Sequence, residues 1–413
     1  MAERLRVLIV APFAPRTDGM HGGSRVIAQL ITRTAEAHDI GLVYLRGDDE
    51  PAIDEPVRQA CAVVSEVARP WQHSRGRASR AMRLVGGVLR GTPMWAGRWA
   101  VPQCTEAIRT LAQRWQPHVV QFEFHVMAQY AEALDGFPCR RVLVQHEPGL
   151  AASAERLVAA RGLARLVALA DHSAWARYER RTAAHFDALV AFTRRDADNL
   201  RQLAPRATIT CIPLGIDVPG QPLSAEGIQP PRVLFVGSFG HAPNETAAVR
   251  LAADILPQLK VRHPDVALSL VGHAPTPRVE ALRGANVEVH GNVPDVAPHL
   301  DSASVVAVPL STGGGMRVKV LEALAAGKAT VCSPRAVEGL DVRDGVHLLL
   351  ADTDAQFVDA IDRLLRRPME RRELGSRARQ WVQAHASAER SARLYSQLYV
   401  RLCSRAGDLR AAS

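Results

Sequence analysis

An apolar run, Ser304-Val305-Val306-Ala307-Val308, stops at Pro309 and leads through a short loop to three consecutive glycines, Gly313, Gly314 and Gly315. After them the chain reads Met316-Arg317-Val318-Lys319-Val320-Leu321-Glu322-Ala323-Leu324-Ala325-Ala326-Gly327, an apolar helical pattern with a glycine placed to cap it. An uninterrupted run rich in valine suits a strand covered on both faces, as in a parallel sheet. Strand, glycine turn and helix in that order commit the region to an open α/β sheet, and ligands sit at such turns. The glycines leave the backbone open to an anion, and the first helical N–H groups point outward with the positive end of the dipole. Arg317 and Lys319 add two cations in that first turn. They oppose the dipole unless an anionic ligand, or Glu322 one turn on, compensates them. The alternative is a solvated, salt-bridged helix start behind a flexible loop.

The same pattern recurs along the chain. Buried-strand runs stand at 5–11, 40–45, 119–122, 142–145, 188–192 and 209–212, then at 232–237, 266–272, 287–289, 304–308, 330–332 and 348–350. Helical periodicity fills most of the intervals. A chain of 413 residues exceeds one core and implies two domains. No apolar run approaches the ~18 residues of a membrane span, and the chain enters a strand at once without a signal peptide. The six cysteines lack Cys-x-x-Cys or metal-ligand spacing and read as reduced thiols of a cytoplasmic protein. A net charge of +9 favours an anionic partner: a nucleotide, an acidic lipid surface or a lipid-diphosphate acceptor. No motif supports nucleic acid. Between Arg69 and Trp99, arginines interleave with Trp71, Trp95 and Trp99. Either this is a solvated helix with tryptophans in the core, or it makes peripheral contact with an anionic membrane.

Val308-Pro309-Leu310, the glycine loop, the run from Arg317 to Val331, and then Glu338-Gly339-Leu340 together resemble the nucleotide-sugar site of glycosyltransferase family 4, the retaining GT-B enzymes. The resemblance implies two doubly wound Rossmann-like domains facing across a cleft. They are an acceptor-side domain over 1–217 and a nucleotide-sugar domain over 232–385, joined by a linker at 218–231; a tail over 386–413 crosses back to the first. It implies that Glu322 holds the ribose hydroxyls and that Val293 meets the nucleobase, plain loop packing being the alternative for Val293. The family's usual first glutamate, eight positions before the one matched by Glu322, is Gly314 here. Its usual arginine and lysine after the glycine of the 232–237 strand are also missing, since Gly237 is followed by Ser238-Phe239-Gly240-His241-Ala242-Pro243-Asn244. The phosphate-binding charge is therefore expected to have moved to Arg317 and Lys319 beside the Gly313–Met316 loop. Gly237 and Ser238 remain as backbone or hydroxyl donors, and Asn244 as the cap of the next helix.

In the first half, Gly22-Gly23-Ser24 opens a helix after a proline-rich loop. By resemblance this loop faces the acceptor or reaches the donor phosphate; a simple helix entry is the other reading. Glu123 stands where the family often carries a histidine beside the transferring sugar. His125 follows two residues on and, in an extended chain, on the same side. Either orients or deprotonates an acceptor hydroxyl, or the two make a loop ion pair; His146-Glu147 is a weaker second candidate. The implied activity moves a sugar from a nucleoside-diphosphate sugar, UDP or GDP, to a glycan or lipid-linked acceptor in surface polysaccharide or glycolipid synthesis. No metal or other cofactor is required, because arginine and lysine neutralise the diphosphate. A nucleotide-sugar epimerase and a non-catalytic binding subunit are the competing classes.

Overall fold

The computed structural model describes residues 4–19, 21–69, 93–146, 149–223, 230–313 and 316–411. Among the described residues thirteen strands form two sheets, and every pairing between these strands is parallel. The first contains β1 (Arg6–Ala11), β2 (Asp39–Arg46), β3 (Cys61–Ala68), β4 (Val119–Glu123), β5 (Arg140–Gln145), β6 (Ala188–Ala191) and β7 (Ile209–Cys211), ordered β3-β2-β1-β4-β5-β6-β7. The second contains β8 (Arg232–Val236), β9 (Ala267–Gly272), β10 (Val287–Gly291), β11 (Val305–Val308), β12 (Thr330–Cys332) and β13 (Leu349–Leu350), ordered β10-β9-β8-β11-β12-β13. Helices cover both faces, which is why the strands read as continuous apolar runs: Val7 to Ala11 and Val305 to Val308 are buried without a break.

In each sheet the strand order reverses once, between β1 and β4 and between β8 and β11. The loops leaving these strands diverge at a reversal and open a crevice, the usual place for a ligand in such sheets. The longer α-helices are α1 (Gly22–Thr34), α2 (Pro102–Trp115), α3 (Gly149–Ala159), α4 (Leu163–Ala183), α5 (Arg194–Leu203), α6 (Ala242–Arg250), α7 (Val318–Ala325), α8 (Asp354–Arg366), α9 (Pro368–His385) and α10 (Ala388–Ala411).

The chain passes between the lobes at two places that lie side by side. Ile216 N–H donates to Ala386 O at 2.9 Å, and Ala388 N–H to Ile216 O at 3.0 Å. Beyond that seam α10 packs on the first lobe, putting Tyr395, Leu398, Tyr399 and Leu402 in one cluster with Val7, Ile9, Ile27 and Ile31. Burial of each leucine of that size contributes roughly 1.5–3 kcal/mol. Strand β3 and helix α2 lie outside the runs read from the sequence. β3 is a half-exposed edge strand without a continuous apolar signal, and α2 buries only Cys104, Ile108 and Ala112. Among the described residues no helix is long and apolar enough to cross a membrane.

Candidate active site

Two helix starts meet where the lobes face each other. A side chain on Gly22, the first residue of α1, would come within 2.7 Å of Val318, the first residue of α7, so only glycine allows this approach. Both N-termini border a cavity of about 670 Å³, toward which each presents free N–H groups and the positive end of its dipole. Gly22, Gly23, Gly237, Ser238, Val293, Met316, Lys319 and Glu322 all line it, so eight residues singled out from separate stretches share one space. Gly313, at φ +95° and packed on Pro243, turns the chain before α7. Gly314 and Gly315 lie outside the described residues.

Inside this cavity Lys319 is open at one side, but its ammonium sits against the Phe235 ring, 4.8 Å from the centroid, and donates to Asn244 Oδ1. Burial, reinforced by the nearby Arg317 charge, pushes its pKa down to about 7. Asn244 Nδ2 in turn donates to Ser238 O at 2.7 Å. The expectation that Asn244 caps a helix is therefore corrected: His241 is the N-cap of α6, and Asn244, two residues inside it, bridges Lys319 to the loop after β8. Glu322 is held across the cleft by Arg25 of α1, Nη2 to Oε1 at 2.6 Å, with each side chain about four-fifths buried. His21, the N-cap of α1, accepts from Ser24 N–H, and burial followed by the charge of Arg25 lowers its pKa to about 4. It is a neutral wall of the cavity.

Arg317 does not join Lys319. It borders a second cavity, about 770 Å³, on the other side of Met316. There its guanidinium, 8% exposed, reaches Glu338 at 3.5 Å, and Glu338 also pairs with Arg335 at 2.6 Å and with Arg195 of α5. A single receptacle made by Arg317 and Lys319 together is thus corrected to two sites sharing one wall. Residues two apart at a helix start point in different directions.

The register expected for Glu123 and His125 also fails. Phe124 has φ +70°, which breaks the extended chain right after β4 and starts a run of 3-10 turns over His125–Leu134. His125 consequently turns inward, 6% exposed, with its ring 4.9 Å from that of Trp175 and its carbonyl accepting from Tyr178 OH at 3.0 Å. Glu123 is buried as well. It accepts from Gln121 Nε2 at 2.6 Å and pairs with His146 Nε2. Neither side chain meets an acceptor directly. The residue at the cleft is His146, stacked on Phe124 with centroids 3.8 Å apart and with Nδ1 3.0 Å from Met316 Sδ. Behind it the chain of contacts continues from Glu123 through Gln121 to Tyr399 OH of α10, 2.6 Å from Gln121 Oε1.

The arrangement thus provides a neutral histidine wall, a buried half-titrated lysine, two helix dipoles and an interlobe carboxylate around one cavity. A second cavity, rich in arginine, adjoins it through Met316 and His146. Arg25, His21 and Arg195 were not singled out from the sequence; only a cation in the first turn of α1, right after two glycines, hinted at Arg25.

Two family models match the chain, "Glycosyltransferase Family 4" over 20–218 and "Glycosyl transferases group 1" over 230–367. Phosphatidyl-myo-inositol mannosyltransferase of Mycobacterium tuberculosis is 34% identical over 166 residues, 37% of this chain and 43% of that protein. The enzyme of the same name from Mycolicibacterium smegmatis is 33% identical over 135 residues, 32% of each chain. The match thus spans less than half the length of these relatives. Among solved structures, sucrose-phosphate synthase of Thermosynechococcus elongatus superposes with a TM-score of 0.70 at 18% identity, covering 97% of this chain and 100% of that one. Anabaena HepE in complex with UDP and glucose superposes at 0.68 and 13% identity, covering 96% and 100%. These similarities show that two facing parallel-sheet lobes are a shared architecture.

Proposed function

Because the chain belongs to glycosyltransferase family 4, with matches across both lobes, we propose that it transfers a sugar, with retention, from a nucleoside-diphosphate sugar to a glycan or lipid-linked acceptor. The observation that carries this reading is Lys319, its pKa lowered by burial and by the Arg317 charge, set beside two converging helix N-termini whose dipoles favour an anion. A bound diphosphate supplies that anion. HepE, which shares the fold, is seen with UDP and glucose, and the mycobacterial relatives are named for transfer to a phospholipid. Both facts favour the donor and acceptor classes named here.

In this reading the base packs near Val293, Glu322 accepts from the ribose hydroxyls, and the diphosphate lies between the α1 and α7 N-termini with Lys319. The sugar then extends past Met316 toward His146. There the second cavity admits the acceptor on the side where Arg317 stands. The bond from the anomeric carbon to the β-phosphate oxygen breaks, and the acceptor oxygen bonds to the same face. Its proton passes to the departing phosphate. Lys319 and the helix dipoles stabilise the charge that develops on the leaving diphosphate, a fixed electrostatic contribution that in general dominates such catalysis. His146, oriented by Glu123, fixes the sugar.

The test is a thermal-shift and turnover panel with UDP, GDP and ADP and their sugars. A diphosphate at 100 times its dissociation constant raises stability by ~2.7 kcal/mol. Release of free nucleoside diphosphate only when an acceptor is present supports transfer. Interconversion of the sugar without an acceptor would identify an epimerase, and binding without either reaction a non-catalytic subunit.

A further inference from the structure

The hairpin of α3 and α4 is anchored at its base and bare at its tip. At the base the Gly149 backbone lies directly on the Trp175 ring. Ser153 Oγ sits 2.9 Å from His172 Nδ1, and Leu150 N–H donates to the buried Glu179 at 3.1 Å. At the tip Val158, Leu166, Val167 and Leu169 are 50–86% exposed, the largest grouping of exposed apolar side chains in the described part of the molecule. From 156 to 170 the chain carries Arg156, Arg161 and Arg165 and not one acidic residue. Arg161 and Arg165 are exposed and meet no carboxylate among the described residues.

A third kind of group joins them. Met94 N–H donates to Asp171 of α4 at 2.9 Å, which brings the short helical turn Met94–Gly97 against the hairpin. On that turn Trp95 is 46% exposed, with the Arg98 guanidinium 5.7 Å from its ring centroid. Aliphatic side chains with the exposed Arg161 and Arg165 on the tip, and a half-exposed tryptophan beside the hairpin, match a membrane interface, where the apolar groups enter the acyl boundary, the cations meet anionic headgroups and the indole sits between. The stretch from 156 to 170 carries no carboxylate that an anionic surface would repel.

We propose that this hairpin tip, with Trp95 beside it, docks the protein on an anionic lipid bilayer. Its position gives the contact a purpose. Ala152 and Glu155 of the same hairpin line the second cavity, and Glu155 pairs with Arg335 across the cleft. Docking therefore brings the acceptor-side cavity to the lipid surface. That last step rests on the transferase reading; the docking itself does not.

The experiment is co-sedimentation of the full chain with vesicles of phosphatidylcholine alone and of phosphatidylcholine with phosphatidylglycerol, without any sugar donor. Binding to the anionic vesicles that weakens with salt is expected, with little binding to phosphatidylcholine alone. The R161E/R165E variant is expected to lose at least roughly 30-fold in partitioning, since two arginines are removed from the anionic surface. L166E/V167E is expected to abolish binding, whereas V261E, at a still more exposed apolar position on the other lobe, leaves it unchanged. Thermal shifts by nucleoside diphosphates are expected to be the same in all three variants, so a failed donor site and a failed docking surface are told apart. Absence of binding to anionic vesicles overturns the proposal, as does undiminished binding by the hairpin variants. If L166E/V167E instead converts a dimer to a monomer without vesicles, the tip is an interface with a second copy and the proposal fails.

Discussion

Lys319 makes the proposed donor site sensitive to pH in a direction that can be worked out. Its pKa falls from 10.5 to about 7 because the ammonium is packed between Phe235 and Asn244, with Arg317 adding repulsion. At 1.36 kcal/mol per unit, that shift corresponds to ~5 kcal/mol disfavouring the charged form. A bound diphosphate opposes this shift and raises the pKa again, because an opposite charge close by favours the ammonium. At pH 8, where the free lysine is mostly neutral, binding must then take up as much as ~0.9 proton, and the lysine's share of the affinity falls by up to ~10-fold between pH 6 and pH 8. Isothermal titration of the preferred nucleoside diphosphate at pH 8, in buffers of different ionisation enthalpy, measures that proton directly; the nucleotide is already fully ionised there. Lys319→Met removes the uptake and supplies the baseline. The sign for stability follows as well. The folded pKa lies below the unfolded value, so the unfolded chain binds more protons between pH 7 and 10.5; the cost of burying the charge is complete below pH 7 and is relieved as pH rises through that window. Lys319→Met is therefore expected to raise the melting temperature of the unliganded protein at pH 6, with the gain shrinking toward pH 10. Proton uptake near zero at pH 8 in the unmodified protein would refute Lys319 as the diphosphate's counter-charge.

Three further outcomes are expected. Arg317→Ala keeps the fold, since Glu338 retains Arg195 and Arg335, but lowers transfer by ~10²–10³-fold; full turnover in that variant removes Arg317 from the reaction. Glu322→Gln is expected to weaken binding of a ribonucleoside diphosphate by ~10-fold or more, because a hydrogen bond to a charged group is lost, while its 2′,3′-dideoxy analogue is unaffected; equal losses for both would assign Glu322 only to its bridge with Arg25. Glu123→Gln leaves the volume beneath His146 intact and is expected to reduce kcat by ~10²-fold with donor KM little changed, a split that simple loss of stability does not produce.

The fold was largely legible because its strands are buried on both faces. A run such as Val305 to Val308 needs no alternation to be recognised, and its continuous burial is what a parallel sheet between helix layers requires. The edge escaped for the converse reason. In β3 only Val67 is fully buried, and Ala62, Glu66 and Ala68 face solvent, so its composition carries neither a continuous nor a clean alternating signal. The cleft's glycines could be located, but not what each one is for. Gly22 is required by the approach of Val318, nearly three hundred residues away, and no local pattern encodes such a contact.

Glu123 and His125 show where local reasoning stops. Their spacing puts them on one side only if the intervening residue is extended, and Phe124 at φ +70° is not. That conformation is held from outside the segment: Phe124 stacks on His146 and meets Phe13 at 5.3 Å, contacts supplied by the chain after β5 and after β1. Arg317 and Lys319 are the opposite case, because their divergence was implicit in the spacing. Positions i and i+2 stand ~200° apart around a helix axis, so two cations so placed at its start serve two cavities more readily than one. With Met316 between the two cavities, the same helix start presents Lys319 to the one proposed for the donor and Arg317 to the one proposed for the acceptor. This is why a change at either cation is expected to act differently: Lys319 on nucleotide affinity and its proton linkage, Arg317 on turnover after the donor is bound.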